Sequence, residues 1–360
     1  MKKKKLAVII ALILLIGGGL AYHILQNMGD LPDLSQYNGL EYFDGEQFVS
    51  PAKIEYFPDR VTGGETGFKR FVFRSPNAPE QELPKVKLDR ASFSQPPDDF
   101  AFNWLGHSSA IVELDGRRLI FDPVLGNASP IPGTARRFDA APIKREDLPD
   151  LDYVIITHDH YDHLEYATMR HLRNRNIKFI VPLGVEAHLI KWGVAPEKIK
   201  VLGWGDAFSD GDIKITAEKA VHYSGRGNDN KNKSLWVSYV ISGLDKKIFW
   251  SGDTGYSPHL KEIGEKYGPF DLATVEIDGW NNGWPNIHLF PREVIQTTKD
   301  VKAQILIPLH WGVFDLALHP WDESIIETVR LADEEGVEIM TPMMGEKIIP
   351  GQSQTSRWWQ

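Results

Sequence analysis

The sequence predicts an α/β layered domain built on mixed sheets. Three observations carry that prediction. Short apolar runs of strand length recur along the chain, with helix-length patterns between them. An early pair of runs reads as a hairpin. Four of the runs stop and at once deliver a His or an Asp, and ligands grouped at strand ends are how α/β folds assemble a site.

The regular part starts near Phe100. Ala110 to Leu114 and Arg118 to Phe121 flank Asp115-Gly116, a pair that accepts positive φ in a tight turn. Tyr153-Val154-Ile155-Ile156 is a buried-strand run that leads straight into a histidine cluster. Lys178-Phe179-Ile180-Val181 is another and ends at Pro182. Ile213-Lys214-Ile215-Thr216 alternates and leads to His222. Lys247-Ile248-Phe249-Trp250 leads to Asp253, and Ile305-Leu306-Ile307 leads to His310. Helical patterns fall around Gly184 to Trp192, Pro258 to Tyr267, Pro291 to Val301 and Asp322 to Glu335.

A chain of 360 residues, 42% hydrophobic and 25% charged with 11 Trp, can bury a sizeable core. The net charge is -9 and no long basic run exists beyond the first five residues, which excludes nucleic acid as a partner. There are no cysteines. Disulfides, thiolate zinc sites and cysteine nucleophiles are therefore excluded, and any metal must be held by His, Asp and Glu.

Three segments are expected. Residues 1–25 hold Lys2 to Lys5 and then an uncharged apolar run from Leu6 to Tyr22. This reads as a transmembrane anchor that places the rest of the chain outside the cytoplasm. Cleavage near Gly19-Leu20-Ala21 would instead make the protein secreted or periplasmic. Residues 26–99, punctuated by Asp44-Gly45, Gly63-Gly64 and Pro96-Pro97, form an irregular lead-in that wraps the domain. Residues 100–350 are expected to form the principal folded domain. A homodimer is left open.

His158-Asp159-His160-Tyr161-Asp162-His163 carries the chemistry. One histidine on a loop is ordinarily part of a solvated turn. Three imidazoles and a carboxylate at this spacing, just after an apolar strand, read as metal ligands, since zinc takes imidazole nitrogen and carboxylate oxygen when no thiolate is available. One cluster cannot fill two sites. His222, Asp253 in Ser251-Gly252-Asp253-Thr254-Gly255, and His310 in His310-Trp311-Gly312 are the candidates for the rest. Each alone would read as a turn residue or a satisfied imidazole; together with the cluster they read as ligands.

The order HxHxDH, then His, then Asp in a Ser-Gly-Asp-Thr-Gly turn, then His before Trp-Gly, resembles the metallo-β-lactamase superfamily. Trp104-Leu105-Gly106-His107, Phe121-Asp122-Pro123 and Gly268-Pro269-Phe270-Asp271 further resemble its N-acylphosphatidylethanolamine-hydrolysing phospholipase D branch. The resemblance implies a four-layer αββα sandwich and two Zn2+ per chain. It implies that His158, His160 and His222 hold the first zinc, that Asp162, His163 and His310 hold the second, and that Asp253 bridges both together with a hydroxide. Asp162 and Asp253 are then the catalytic carboxylates. Tyr161 and His288 would lie near the substrate phosphate, and the substrate would be a lipid or another phosphodiester. Asp159 departs from the branch, whose animal members carry an uncharged residue there. His107 is either a hairpin residue or a partner behind the ligands. Trp204, Trp280 and Trp284 are candidates for a lipid-accepting wall. Two alternatives stand beside this reading: a lactonase or other ester hydrolase on the same fold, and a membrane-tethered metal-binding factor without turnover.

Overall fold

A computed structural model describes residue 15, residues 17–62 and residues 75–360. Fourteen strands among them form two seven-stranded sheets. In the first sheet are β1 (Phe100–Gly106), β2 (Ser109–Leu114), β3 (Arg117–Phe121), β4 (Tyr153–Ile155), β5 (Lys178–Pro182), β6 (Ile199–Leu202) and β14 (Lys347–Ile348), in the order β14-β1-β2-β3-β4-β5-β6. In the second are β7 (Ala207–Asp210), β8 (Ile213–Glu218), β9 (Ser238–Ser242), β10 (Lys247–Trp250), β11 (Phe270–Glu276), β12 (Ala303–Leu309) and β13 (Glu338–Ile339), in the order β13-β12-β11-β10-β9-β8-β7. Each sheet is half antiparallel and half parallel. β1, β2 and β3 pair antiparallel and β3 to β6 parallel, while β7 to β10 pair antiparallel and β10 to β13 parallel.

The hairpin expected at Asp115-Gly116 forms, with φ of 48° and 71° at the two turn residues and Leu114 opposite Arg117. Both signs are positive, as a turn matching the twist of the strands requires. In β4, period-2 alternation sends Tyr153 and Ile155 into the core between the sheets. Val154, with Ile156 just beyond, faces the outer helices. Both faces are buried, which is why these strands read as continuous apolar runs. Helices α1 (Tyr166–Leu172) and α2 (Val185–Lys191) bury Met169, Leu172 and Leu189 against the first sheet. Helices α3 (His259–Tyr267), α4 (Pro291–Asp300) and α5 (Glu323–Glu335) cover the second. The result is the four-layer αββα sandwich.

Trp250 is the centre of the inter-sheet core. It is 1% exposed, and its ring stacks on Phe121 of the opposite sheet at 3.8 Å between centroids. Trp250→Ala is expected to cost about 3–5 kcal/mol of unfolding free energy, since the cavity is walled by two sheets that cannot collapse into it. Denaturant unfolding checks this, and a loss under about 1 kcal/mol would contradict it.

The expected transmembrane anchor is corrected. Among the described residues no helix is long and apolar enough to cross a membrane. Residues 6–14 and 16 of the apolar run lie outside the described residues. The described helical stretch, residues 17–28, would reach about 18 Å against a hydrocarbon core of about 30 Å. Three glycines open it and His23, Gln26 and Asn27 close it. Its end is tied to the domain: Trp192 Nε1 donates to the Gln26 carbonyl at 2.7 Å, and Arg226 donates to the Asn27 carbonyl. The placement outside the cytoplasm, which rested on that anchor, is withdrawn with it.

Candidate metal centre

The sheets deliver their polar residues to one end of the sandwich. His158 to His163 follow β4, His222 follows β8, Asp253 follows β10 and His310 follows β12. All seven residues converge, although they span both sheets. His158, His160, His222 and Asp253 form one group of donors. His107, Asp162, His163 and His310 form a second, with Asp253 Oδ2 reaching 3.3 Å from His163 Nε2 and 3.1 Å from His310 Nε2. The same Oδ2 lies 3.8 Å from His158 Nε2 and 3.6 Å from His222 Nε2. One carboxylate oxygen is thus shared by both groups.

The donor set fits divalent metals. Four donors about 2.0–2.1 Å from a tetrahedral centre stand about 3.4 Å apart. Separations in the first group include 2.9 Å from His158 Nε2 to His160 Nδ1, 3.3 Å from His222 Nε2 to His160 Nδ1 and 3.8 Å from His158 Nε2 to Asp253 Oδ2. Several site atoms are buried with no protein hydrogen bond at all: His163 Nε2, His310 Nε2 and Asp253 Oδ1. Buried polar atoms rarely go unpaired without a reason, and metal coordination supplies one here. Strain points to the same place. His107, Asp122 and His310 have φ of 53°, 39° and 72°, a region that non-glycine residues enter at a cost.

Electrostatics separate the two groups. Burial holds His158 and His222 well below the usual imidazole range, so both are neutral and ready to ligate. Burial also disfavours charge on His163 and His310, but there Asp253 foremost, with Asp162, outweighs it. His310 is held up to about 10, and His163 well above its ordinary value. Metal loading must therefore displace protons from the second group. Zinc uptake at neutral pH is expected to release protons, and affinity at this group should rise with pH toward about 10. Calorimetry in buffers of different ionisation enthalpy measures this, and uptake without proton release would contradict it.

Around the donors sit further polar residues, of which sequence reasoning gave Asp122 no role. Asp122 Oδ2 accepts from His163 Nδ1 at 2.8 Å and from Thr157 Oγ1 at 2.7 Å. His107 Nε2 reaches Asp162 Oδ2 at 3.0 Å, which places the hairpin histidine within the second donor group itself. Asp159 faces away from the donors and pairs with His188 at 3.2 Å. The signal for Asp122 was present: like the ligands, it follows directly on a strand.

A cavity of about 470 Å3 opens over the donors, with Tyr161, Trp284 and His288 in its wall. His288 Nδ1 lies 3.4 Å from buried Glu276 Oε1, and its ring is 5.2 Å from that of His310. Gly279, at φ 91°, lets His288 in: a Cβ there would stand 2.8 Å from its Nδ1. Tyr161 lines the cavity while its hydroxyl donates to the Arg226 carbonyl at 2.7 Å. Of the three tryptophans proposed as a wall, only Trp284 lines this cavity. Trp204 packs on Tyr42 and Trp236, and Trp280 stacks on His319.

A histidine and carboxylate centre at the strand ends of an αββα sandwich, open to a cavity, defines a metal-dependent hydrolase. Residues 117–311 match the beta-lactamase superfamily domain, and the chain belongs to that superfamily. It is 37% identical over 267 residues to an uncharacterized protein of Mycobacterium tuberculosis, covering 72% of this chain and 71% of that one. It is 33% identical over 286 residues to N-acyl-phosphatidylethanolamine-hydrolyzing phospholipase D 1 of Caenorhabditis elegans, covering 74% and 80%. Among solved structures, the isothiocyanate hydrolase from Delia radicum gut bacteria shares the fold, with a TM-score of 0.57 and 19% identity over 69% of this chain and 98% of that one.

Proposed function

We propose that the chain is a zinc-dependent phosphodiesterase of phospholipase D type, acting on N-acylphosphatidylethanolamine-like lipids. The similarity to the nematode phospholipase D, 33% identical over 74% of this chain and 80% of that one, carries this reading together with the cavity that opens over the donors. His158, His160 and His222 would hold one zinc, Asp162, His163 and His310 the other, and Asp253 would be shared. Two such cations supply Lewis acidity and a water of lowered pKa. The chain does the rest. Asp253, with one oxygen facing both groups, fixes their spacing. His107 holds Asp162 in place at 3.0 Å. His288, backed by Glu276, presents its ring to the cavity where a phosphate would sit, and Tyr161 lends its ring to the same wall.

The test is a substrate panel on the zinc-loaded full chain, with metal analysis on the same sample. N-acylphosphatidylethanolamine should be cleaved to phosphatidic acid and an N-acylethanolamine, faster than a generic phosphodiester. Turnover confined to an acyl-homoserine lactone or a β-lactam would sink the phosphodiesterase reading. Stoichiometric zinc with no turnover on any arm would sink the enzyme reading.

A further inference from the structure

Asp159 and Arg226 belong to neither donor group, yet Asp159 lies within the loop that carries four of the donors and Arg226 packs against it, at 1% and 3% exposure. Arg226 makes all four of its side-chain hydrogen bonds to backbone carbonyls. Nη1 donates to the Asp159 carbonyl at 2.6 Å and to the Leu164 carbonyl at 2.8 Å. These carbonyls flank His160, Asp162 and His163, so one nitrogen pins both ends of the metal loop. The face of the guanidinium lies 3.9 Å from the ring centroid of Tyr161, in the middle of that loop. Its remaining bonds, from Nε at 3.0 Å and Nη2 at 2.8 Å, go to the Asn27 carbonyl.

A second path joins the same two places. The Asp159 carboxylate accepts from His188 Nε2 at 3.2 Å, from Ser234 Oγ at 2.8 Å and from the Gly225 amide at 2.7 Å. His188 Nδ1 accepts from the Asp30 amide at 3.0 Å, which puts the imidazole proton on Nε2, facing Asp159. Lys191 Nζ and Trp192 Nε1, from the same stretch as His188, bond the Gly29 and Gln26 carbonyls. Gly29 fits because it has no side chain: its φ is 77°, and a Cβ would stand 2.0 Å from His188 Nδ1.

We propose that residues 26–30 brace the metal loop, with Arg226 and the His188–Asp159 pair as the positioning residues that carry the brace to it. A planar fork with five donors suits a junction of three backbone segments, where a lysine ammonium would not reach all of them. The brace also gives Asp159 a purpose. A carboxylate at that position is what allows a histidine tied to the N-terminal segment to grip the loop. This inference rests on the metal-centre reading and is independent of the substrate.

The test uses the full chain in three variants: Gly29→Val, which drives a side chain into His188 from outside the sandwich, Arg226→Lys, which keeps the charge and removes the fork, and the two combined. Amide hydrogen exchange is read on the metal-free chain. The His163 and Leu164 amides both donate to the His160 carbonyl, at 3.1 and 2.8 Å, and report on the loop. Each single variant should exchange these two amides at least about ten-fold faster, the effect of losing one or two hydrogen bonds locally. Amides of β11 should keep their protection, which separates loosening of the loop from general destabilisation. A chelator should also strip zinc faster from both variants, and the double variant should be no faster than Gly29→Val alone. Wild-type protection of the two loop amides in either variant would overturn the proposal. So would effects that multiply in the double variant. If Arg226→Lys does not fold, Gly29→Val decides alone.

Discussion

On the proposed two-zinc centre, Asp253→Asn is expected to reduce bound metal from two ions per chain to fewer than one and to lower turnover at least about 10^3-fold, about 4 kcal/mol of transition-state stabilisation. The variant is nearly isosteric, so packing is preserved and the effect is electronic. Asp253 Oδ2 faces four imidazole nitrogens, within 3.1 to 3.8 Å. Only an anionic oxygen can be shared between two cations at such a position. An amide offers a weaker oxygen, or turns its N–H2 toward donors that must stay open for metal. The side chain is 2% exposed, so solvent cannot replace the lost charge. Metal content by elemental analysis and turnover on the same preparation measure the outcome. Two retained zincs with unchanged turnover would remove Asp253 from the shared position.

How much of this could be read from the sequence depends on where the information lies. The strands that end in a ligand were legible because a continuous apolar run stops at a functional residue, as at Tyr153 to Ile156 before His158. Among strands without that punctuation, β2, β3 and β5 were still legible from their apolar runs, but β7 and β11 were not. β7 is an edge strand with no buried residue, so its alternation is faint. β11 carries Asp271, Thr274 and Glu276, which interrupt the apolar pattern, though Glu276 is buried and accepts from the Leu289 amide at 2.9 Å. α1 has seven residues and no side-chain cap, too little for a periodic signal. The ligands could be gathered from strand ends, but the residues behind them could not. Arg226 acts on carbonyls at Asn27, Asp159 and Leu164, and any side chain in those places offers the same carbonyl. The apolar run at Leu6 to Tyr22 misled for a related reason. Hydropathy records what a segment would do in a bilayer, not that Gln26 and Gly29 tie the following turn to the end of α2 while Asn27 ties it to Arg226.

Asp122→Ala should show how far metal affinity depends on a residue that holds no metal. Asp122 is fully buried. Oδ1 accepts from the Thr157 amide at 2.8 Å, and Oδ2 accepts from Thr157 Oγ1 at 2.7 Å and from His163 Nδ1 at 2.8 Å. The threonine hydroxyl has one proton and gives it to Asp122. Its contact with His158 Nδ1 at 3.0 Å must then run the other way, with the imidazole donating. One carboxylate therefore places a proton on Nδ1 of both His158 and His163 and makes Nε2 the ligating nitrogen of each, already neutral in His158 and open in His163 once metal displaces its proton. Alanine would leave an amide, a hydroxyl and an imidazole N–H without a buried acceptor, at a residue already held at φ 39°. The expected cost is about 3–5 kcal/mol in stability together with about a 10- to 100-fold loss of zinc affinity. Asp122→Asn separates the two effects. Its amide oxygen can keep the Thr157 amide bond, restoring part of the stability. Its N–H2 then confronts His163 Nδ1 and favours the wrong tautomer, so zinc affinity should stay low. Zinc competition titrations and denaturant unfolding on both variants give the result. Full affinity in Asp122→Asn would show that the carboxylate supports the fold of the loop and does not set the protonation of the ligands.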